Sequence, residues 1–162
     1  MAENPQSERV SIAVPSLRFA TAEDIAQIDE LDRLSNSPTR DIHRDMEKYF
    51  GSVDPSTHEQ TLILLAVIGE KAVGKAELMI APQREGTVGQ VGYIKRVIVD
   101  PHFRAHGLAR RMLQHLIDYA RNDLHLQSLD LHVWEENHPA LRLYQALGFE
   151  VQHRELYLKL TL

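Results

Sequence analysis

Two short groups of residues in this chain combine types that can bind or transfer chemical groups. The first lies in the stretch VDPHFRAHGLARRML, where Arg104, Gly107 and Ala109 stand between a β-like and a helix-like run. The start of a helix leaves backbone N–H groups without intrahelical partners and carries partial positive charge, so it can hold a phosphate group. Glycine admits a ligand close to the backbone, a small alanine keeps the next turn open, and arginine adds a full charge. The junction suits a pyrophosphate, although an ordinary corner eased by glycine fits the same short pattern.

The sequence lacks the two commonest phosphate-binding loops and shows no metal motif. Neither G-x-x-x-x-G-K-[ST] nor G-x-G-x-x-G occurs, so the junction is neither a Walker loop nor a dinucleotide fingerprint. His102 and His106 stand four apart, but they fall in the turn before the helix, where that spacing does not align them. No H-E-x-x-H appears either. We therefore predict no metal site.

The second group lies in NHPALRLYQALGF, where Asn137 and Tyr144 are seven residues apart. Seven residues are nearly two helical turns, so both side chains lie on one face of the predicted helix. Both residues also have a purely structural interpretation, in which Asn137 is a helix N-cap and Tyr144 is an amphipathic core residue. Taken alone, these two residues leave a functional and a purely structural interpretation open.

Hydrophobic periodicity and turn residues predict the elements that must position these groups. A helix should begin near Thr21, since an acid follows three residues later, and the most regular helical pattern begins at Leu108. Two further helical segments are predicted at 41–50 and 137–148. Strands are predicted at 16–20, 61–69, 71–81, 91–100 and 129–134, with terminal β structure at 149–160.

Length and composition indicate one globular domain and exclude several classes of function. The chain has 162 residues, of which 43% are hydrophobic, and we expect a loose tail at 1–9 followed by a single domain at 10–162. A formal charge of −5 without a basic block argues against nucleic acid as a partner. The absence of cysteine excludes disulfides and a Cys nucleophile. No segment has the pattern of a leader or a membrane span, so we expect a soluble, cytoplasmic protein with no membrane partner.

The two groups together resemble the GNAT superfamily of acyl-CoA-dependent N-acyltransferases. The family patterns [QR]-x-x-G-x-[GA] and N-x-x-A-x-x-x-Y-x-x-x-G-F are both met, the first at Arg104–Ala109 and the second at Asn137–Phe149. The resemblance is close over 90–150. It implies an α/β (α+β) fold with a mixed, mostly antiparallel sheet of six or seven strands and about four flanking helices. The sheet would be splayed between its fourth strand, 91–100, and its fifth, 128–135.

The resemblance also implies a site for acetyl-CoA as the acyl donor. The pyrophosphate would sit on backbone amides of the junction, and the pantetheine arm would pair like an extra strand with the end of the fourth strand. Asn137 would contact the pantetheine or acyl region, and the phenol of Tyr144 would point at the sulfur. The cofactor-binding residues implied in this way are Val97, Ile98, Val99, Arg104, Ala105, His106, Gly107, Leu108, Ala109, Asn137 and Tyr144.

The implied reaction is direct transfer of the acetyl group to a primary amine in a ternary complex. An amine of pKa about 10.4 must lose a proton before it attacks, and a thiolate of conjugate-acid pKa about 8.5 leaves more easily with a proton donor. Tyr144 would be that donor. Many relatives carry a glutamate on the fourth strand, but this chain has Lys95 and Arg96 there, so we name Glu77 as a possible base beside Glu135 and a water relay.

Two interpretations from other functional classes remain open at this point. The same fold could serve as a non-catalytic acyl-CoA-binding regulatory module, because fold does not fix function. The domain could also work as a partner-binding subunit through an apolar edge. Homodimers are common in the family, so the resemblance allows a homodimer, but the sequence does not decide the assembly. The acceptor is left open among small amines, amino acids, antibiotics, peptides and protein lysines.

Overall fold

The computed structural model describes residues 13–35, 46–86 and 88–162. The predicted tail at 1–9 lies outside these residues. The chain forms two compact units, the first ending at Asp130 and the second comprising Leu131–Leu162. The expectation of a single domain at 10–162 stays a prediction.

The described part of the first unit contains a five-stranded sheet in which sequence order is also spatial order. Its strands are β1 (Ser16–Phe19), β2 (Gln60–Ile68), β3 (Lys71–Ile80), β4 (Val91–Val99) and β5 (Ser128–Asp130). The pairs β1–β2, β2–β3 and β3–β4 are antiparallel. Only β5 runs parallel to its neighbour β4, after the chain has crossed over through a helix.

The α-helices of the described residues are α1 (Ile25–Arg33), α2 (Leu108–Asn122) and α3 (His138–Ala146). Short 3-10 turns lie at Ala22–Asp24, Met46–Tyr49 and Pro101–Phe103. The predicted start near Thr21 is confirmed, since the Thr21 N–H donates to Asp24 Oδ2 at 2.8 Å. Arg18 pairs with the same carboxylate at 2.8 Å, and its hydrogen bond is the main reason that the pKa of Asp24 is lowered.

Helices α1 and α2 cover opposite faces of the sheet. The core cluster beside α1 joins apolar residues of the helix to one face of β2 and to the start of β3: Ile25, Ile28, Leu31, Ile63, Leu65, Val67 and Ala72. Gly74 pairs with Ala66, which points the other way from Leu65, and a Cβ on Gly74 would lie 3.2 Å from Met112 of α2. The sheet is therefore a middle layer, and its fourth strand runs between two helix-covered faces.

The fold class is confirmed as mixed α/β with a mostly antiparallel sheet, while the element counts need correction. The described residues form five strands and three α-helices instead of six or seven strands and about four helices. The predicted strand at 129–134 is shorter, Ser128–Asp130, and residues 149–160 form no strand. Alternating apolar residues favour an extended chain, but a strand also needs a partner ladder for its backbone groups. Of the predicted helix at 41–50 a single turn, Met46–Tyr49, is formed, and 41–45 lie outside the described residues.

Within 13–35, 46–86 and 88–162, no helix combines the length and the apolar composition that crossing a bilayer requires.

Candidate functional site

The end of β4 is tied to the loop that follows it. The Asp100 N–H donates to the Val73 carbonyl at 2.9 Å, which extends the strand pairing by one residue. The Asp100 carboxylate accepts the backbone N–H of His102 at 2.9 Å, and this hydrogen bond is the main reason that the pKa of Asp100 is lowered. Arg104 Nε donates to the Val99 carbonyl at 3.1 Å. The guanidinium predicted to add charge at the junction is thus held against the last residue of the strand.

The backbone between Arg104 and the helix start departs twice from ordinary geometry. Ala105 has φ of +64° and Gly107 has φ of +72°, both in the left-handed region. This region is unfavourable for alanine by about 1–3 kcal/mol and is open to glycine. Apart from its two neighbours in the chain, no described residue has a heavy atom within 4 Å of the position that a Cβ on Gly107 would occupy. The backbone at Gly107 is therefore open to a ligand from the side on which a side chain would stand.

Helix α2 starts directly after this glycine. Its first hydrogen bond to the loop runs from the Arg111 N–H to the Gly107 carbonyl at 3.1 Å. Leu108 is buried and anchors the first turn, whereas Ala105, His106 and Gly107 are exposed. The N–H groups of the first turn have no intrahelical carbonyl to bind. An exposed, positively polarised helix start follows a charged arginine, which is what a phosphate group requires.

Strand β4 carries a bulge just before the residues predicted to bind pantetheine. Lys95 pairs with Glu77, but the next pair is Ile98 with Lys75, so three steps on β4 oppose two on β3. Arg96, inside this bulge, has φ of +47°. A bulge of this kind bends the strand and re-aims its backbone groups. It separates Val91–Ile94 from the predicted pantetheine-binding residues.

The two ends of β4 have different neighbours on the β5 side. β5 pairs with Val91, Gly92 and Tyr93. In the described residues this ladder stops before Val97, Ile98 and Val99, whereas Ile98 and Val99 pair on the other edge with Lys75 and Gly74. The pattern matches the expected divergence of the fourth and fifth strands after their first few residues.

Glu77, the predicted candidate base, lies in a buried group of charges. Its residue is 2% exposed, and its carboxylate pairs with the ammonium of Lys75, which is 0% exposed. Glu135, the other candidate carboxylate, lies in the second unit, where its exposed side chain is 3.1 Å from Arg154. Both carboxylates have a cationic partner, and the assignment of a base stays a prediction.

In the second unit, Asn137 and Tyr144 lie on α3 as the spacing predicts. Asn137 is the N-cap, and its Oδ1 accepts the Ala140 N–H at 3.3 Å. The Tyr144 ring packs edge-on against Phe149, with the ring centres 6.0 Å apart. Burial raises the pKa of Tyr144, so its phenol keeps its proton over a wide pH range.

A family model decides the relationship of this chain to known proteins. The model of the acetyltransferase (GNAT) family matches residues 23–149. The chain belongs to the GNAT family. The recognition made from the motifs is thereby confirmed, together with the prediction that the chain belongs to a family of acyltransferase enzymes.

Named proteins similar to this GNAT chain include two acetyltransferases with amine substrates in their names. Glucosamine 6-phosphate N-acetyltransferase of Trypanosoma brucei brucei is 30% identical over 90 residues, or 56% of this chain and 58% of that protein. Spermidine N(1)-acetyltransferase of Vibrio cholerae is 28% identical over 126 residues, or 75% of this chain and 58% of that protein. The chain thus spans under three fifths of the length of either relative.

A solved structure supports the GNAT fold. The aminoglycoside N-acetyltransferase AAC(6')-Iy in complex with CoA superposes with a TM-score of 0.67 at 17% identity, covering 91% of this chain and 100% of that one. At this identity the likeness shows the fold alone.

The structure groups the predicted GNAT site residues in two sets. Those from Val97 to Ala109 are contiguous in the first unit, and Asn137 and Tyr144 share a helix in the second. Among the described residues, no group of three or more His, Cys, Asp or Glu side chains is arranged to hold a metal ion.

Sequence reasoning missed the pairing of Lys75 and Asp32, whose Nζ and Oδ1 atoms lie 2.6 Å apart. A signal was present, since KAVGKAELMIA places Lys75 inside an apolar run that predicts a buried strand. The sequence could not supply the partner, because Asp32 lies on another element.

Proposed function

We propose that this chain transfers the acetyl group of acetyl-CoA directly to a primary amine in a ternary complex. The amine nitrogen attacks the thioester carbonyl carbon, so an N–C bond forms and the C–S bond breaks. One proton leaves the amine, and one proton is delivered to the departing thiolate. The observation that carries the proposal is the open helix start at Gly107 in a chain of the GNAT family.

The proposal places the pyrophosphate of acetyl-CoA on the backbone amides of Arg104–Ala109. The fit is supported by the open space at Gly107, by the exposure of Ala105 and His106, and by Arg104, whose guanidinium lies against the Val99 carbonyl at the end of β4. A phosphate is favoured there by the N–H groups of the first turn and by the helix dipole. Leu108, the residue after Gly107, is buried and anchors the first turn of α2 in the core.

The pantetheine arm is proposed to pair with the backbone of Val97–Val99. This is supported by the β5 ladder, which stops at Tyr93 and leaves that edge of β4 without a strand partner among the described residues. The bulge at Arg96 interrupts the regular pleat immediately before this segment. A backbone N–H near Val97 would then meet the charge that develops on the carbonyl oxygen.

Tyr144 is proposed as the general acid that protonates the thiolate. An ordinary tyrosine phenol is already protonated at neutral pH, and burial, which raises the pKa of Tyr144, does not change that. Asn137 is proposed to contact the pantetheine or acyl region through its amide N–H₂, because its Oδ1 already caps α3.

The proton of the amine is proposed to leave through water, with Glu77 retained as the carboxylate to be tested. The Glu77 carboxylate is buried and paired with the Lys75 ammonium, so it is not exposed to an incoming amine. Lys95 and Arg96 do not act as bases, because their cationic forms have no free lone pair.

The acceptor is proposed to be an amine small enough to reach the end of β4. The two named relatives support this class, since spermidine and glucosamine 6-phosphate both carry a primary amine. The same chemistry admits amino acids and aminoglycosides. We further expect a cytoplasmic protein, with the homodimer as the assembly to be tested first.

A thiol-release assay tests the function. The protein is given acetyl-CoA and a panel of polyamines, amino sugars, amino acids and aminoglycosides, and free CoA is measured with and without each amine. We expect amine-dependent release for at least one class, and acetyl-CoA should raise the melting temperature because it binds only the native state. A thermal shift without turnover would favour the regulatory module. The absence of both the thermal shift and turnover would refute the proposal.

A further inference from the structure

Four charged side chains meet between α1 and the strands β3 and β4. The Lys75 ammonium lies 2.6 Å from Asp32 Oδ1 and also pairs with Glu77. The second oxygen of Asp32 lies 3.6 Å from Nη1 of Arg96. Lys75 and Glu77 are almost completely buried, and the Asp32 and Arg96 side chains are only 14% and 18% exposed. The contacts given for these four residues join two cations to two carboxylates, the pairing that favours burial of charge.

Arg96 is the residue of this group that lies inside the β4 bulge. Its φ of +47° is unusual for a residue other than glycine. The extra residue of the bulge leaves Arg96 outside the regular ladder, so its conformation depends on contacts other than strand pairing. The contact with Asp32 connects this strained residue to α1. The bulge is therefore attached to the helix on one face of the sheet as well as to its neighbouring strand.

Asp32 is placed in the last turn of α1, where a carboxylate is unfavourable by itself. The C-terminal end of a helix carries partial negative charge, which repels an acid and attracts a cation. Lys75 and Arg96 offset this repulsion. Lys75 is fully buried, so losing a carboxylate partner would leave its ammonium uncompensated. The contact with Lys75 therefore restricts the positions that the Asp32 side chain can adopt.

We propose that Asp32 is a positioning residue that fixes the β4 bulge through Arg96, with Lys75 holding the Asp32 carboxylate in place. The fixed bulge sets the direction of the Val97 N–H and of the segment up to Val99. This inference rests on the proposed function, in which that segment receives the pantetheine arm and the acyl carbonyl. Asp32 acts through Arg96 and does not touch the substrate.

The first experiment measures amide hydrogen exchange of the ligand-free protein, so it does not depend on activity. Arg96→Gln removes the charge from the bulge and leaves Lys75 paired with both carboxylates, which favours a folded variant. Its matched control is Lys95→Gln, the neighbouring exposed cation on the same strand. We expect exchange at residues 97–99 to accelerate about tenfold in Arg96→Gln, relative to the amides of Leu64 and Leu65 in β2, and not in the control. Equal exchange in the two variants would overturn the proposal.

The second experiment separates positioning from stability. Asp32→Asn is compared with Asp29→Asn, a change of the same kind on the same helix. We expect Asp32→Asn to lower kcat by about 10- to 100-fold while the KM for acetyl-CoA changes less, because misplaced reacting groups slow chemistry more than they weaken binding at the phosphates. Asp32→Glu, which keeps the charge, should restore part of the rate.

The outcomes keep this inference apart from the proposed function. A lower melting temperature with unchanged kcat in Asp32→Asn would leave Asp32 a merely structural residue and overturn the proposal. If the unmodified protein neither binds nor turns over acetyl-CoA, the proposed function fails. Amide exchange at residues 97–99, measured on Arg96→Gln and also on Asp32→Asn, still decides whether Asp32 and Arg96 fix the bulge.

Discussion

The N-terminal ends of α2 and α3 differ in whether a side chain caps their backbone N–H groups. Every α-helix begins with N–H groups that lack intrahelical partners. At α3, the side chain of Asn137 accepts one of them, from Ala140. At α2, the cap is Gly107, which has no side chain to offer and adopts φ of +72°. A helix that caps itself is closed to an anion, whereas a helix capped by glycine leaves its N–H groups to a ligand or to water.

Asn137 and Gly107 both fit family motifs, but they differ in whether the structure shows a side-chain contact that stabilises the helix. Asn137 has a structural role that the structure displays, so a ligand contact would be an additional role. Gly107 has no side chain to make a comparable contact, and the space beside it is open, as it also is beside Gly69, Gly86 and Gly148. A role of Gly107 in binding stays a prediction. The motifs alone gave the two residues equal weight.

The largest expected effect concerns chemistry on α3. Tyr144→Phe keeps the ring and its edge-on packing against Phe149 and removes only the proton donor. We expect amine-dependent turnover to fall by about 10²–10⁴-fold while acetyl-CoA affinity is retained. Because the pKa of Tyr144 is raised by burial, the unmodified enzyme should lose this acid only at alkaline pH, above the ordinary tyrosine value. Steady-state kinetics and a binding titration check both points, and full activity of the variant would remove the general-acid role.

A smaller effect is expected from giving α2 the cap that α3 already has. Gly107→Asp would place a carboxylate at the open helix start, where it both caps the N–H groups and repels a pyrophosphate. We expect acetyl-CoA affinity to fall by about 10- to 100-fold, since the repulsion between like charges a few ångströms apart at a surface amounts to a few kcal/mol. Calorimetric titration measures the change.

The control for this change is Gly107→Asn, which has nearly the same shape and no charge. Both residues tolerate a positive φ better than a β-branched side chain does, so valine at this position would be strained even without a ligand. If the Asp and Asn variants bind acetyl-CoA equally well, charge repulsion is absent and the phosphate does not sit at this helix start.

The smallest expected effect comes from removing the cap of α3. Asn137→Ala should lower the free energy of unfolding by about 1 kcal/mol, the usual loss for an N-cap. Asn137→Asp keeps an acceptor for the Ala140 N–H and should unfold like the unmodified protein. If Asn137 also contacts the acyl donor through its amide N–H₂, both variants should bind acetyl-CoA more weakly. Thermal melts and titrations of the pair therefore separate the cap from the contact.

The sequence predicted the local secondary structure around the candidate site well. The strand–loop–helix junction, its glycine and the helix from Leu108 depend on neighbours along the chain, and periodicity and turn residues report such neighbours directly. The strand at 71–81 and the helix at 137–148 were found for the same reason, with small differences in their ends. Terminal β structure at 149–160 was wrong, because alternation describes one strand and says nothing about the partner that a ladder needs.

What the sequence by itself determined is the family, the fold class and the order of the site residues along the chain, since these follow from local pattern and motif. Only the tertiary structure decided that Glu77 is buried against Lys75 and that Asp32 lies 2.6 Å from that ammonium. It also decided that Arg96 occupies a bulge with φ of +47°. The physical reason is that burial of charge and register of strands are set by contacts between residues far apart in sequence. No local pattern of residue types encodes which distant carboxylate will meet a given lysine.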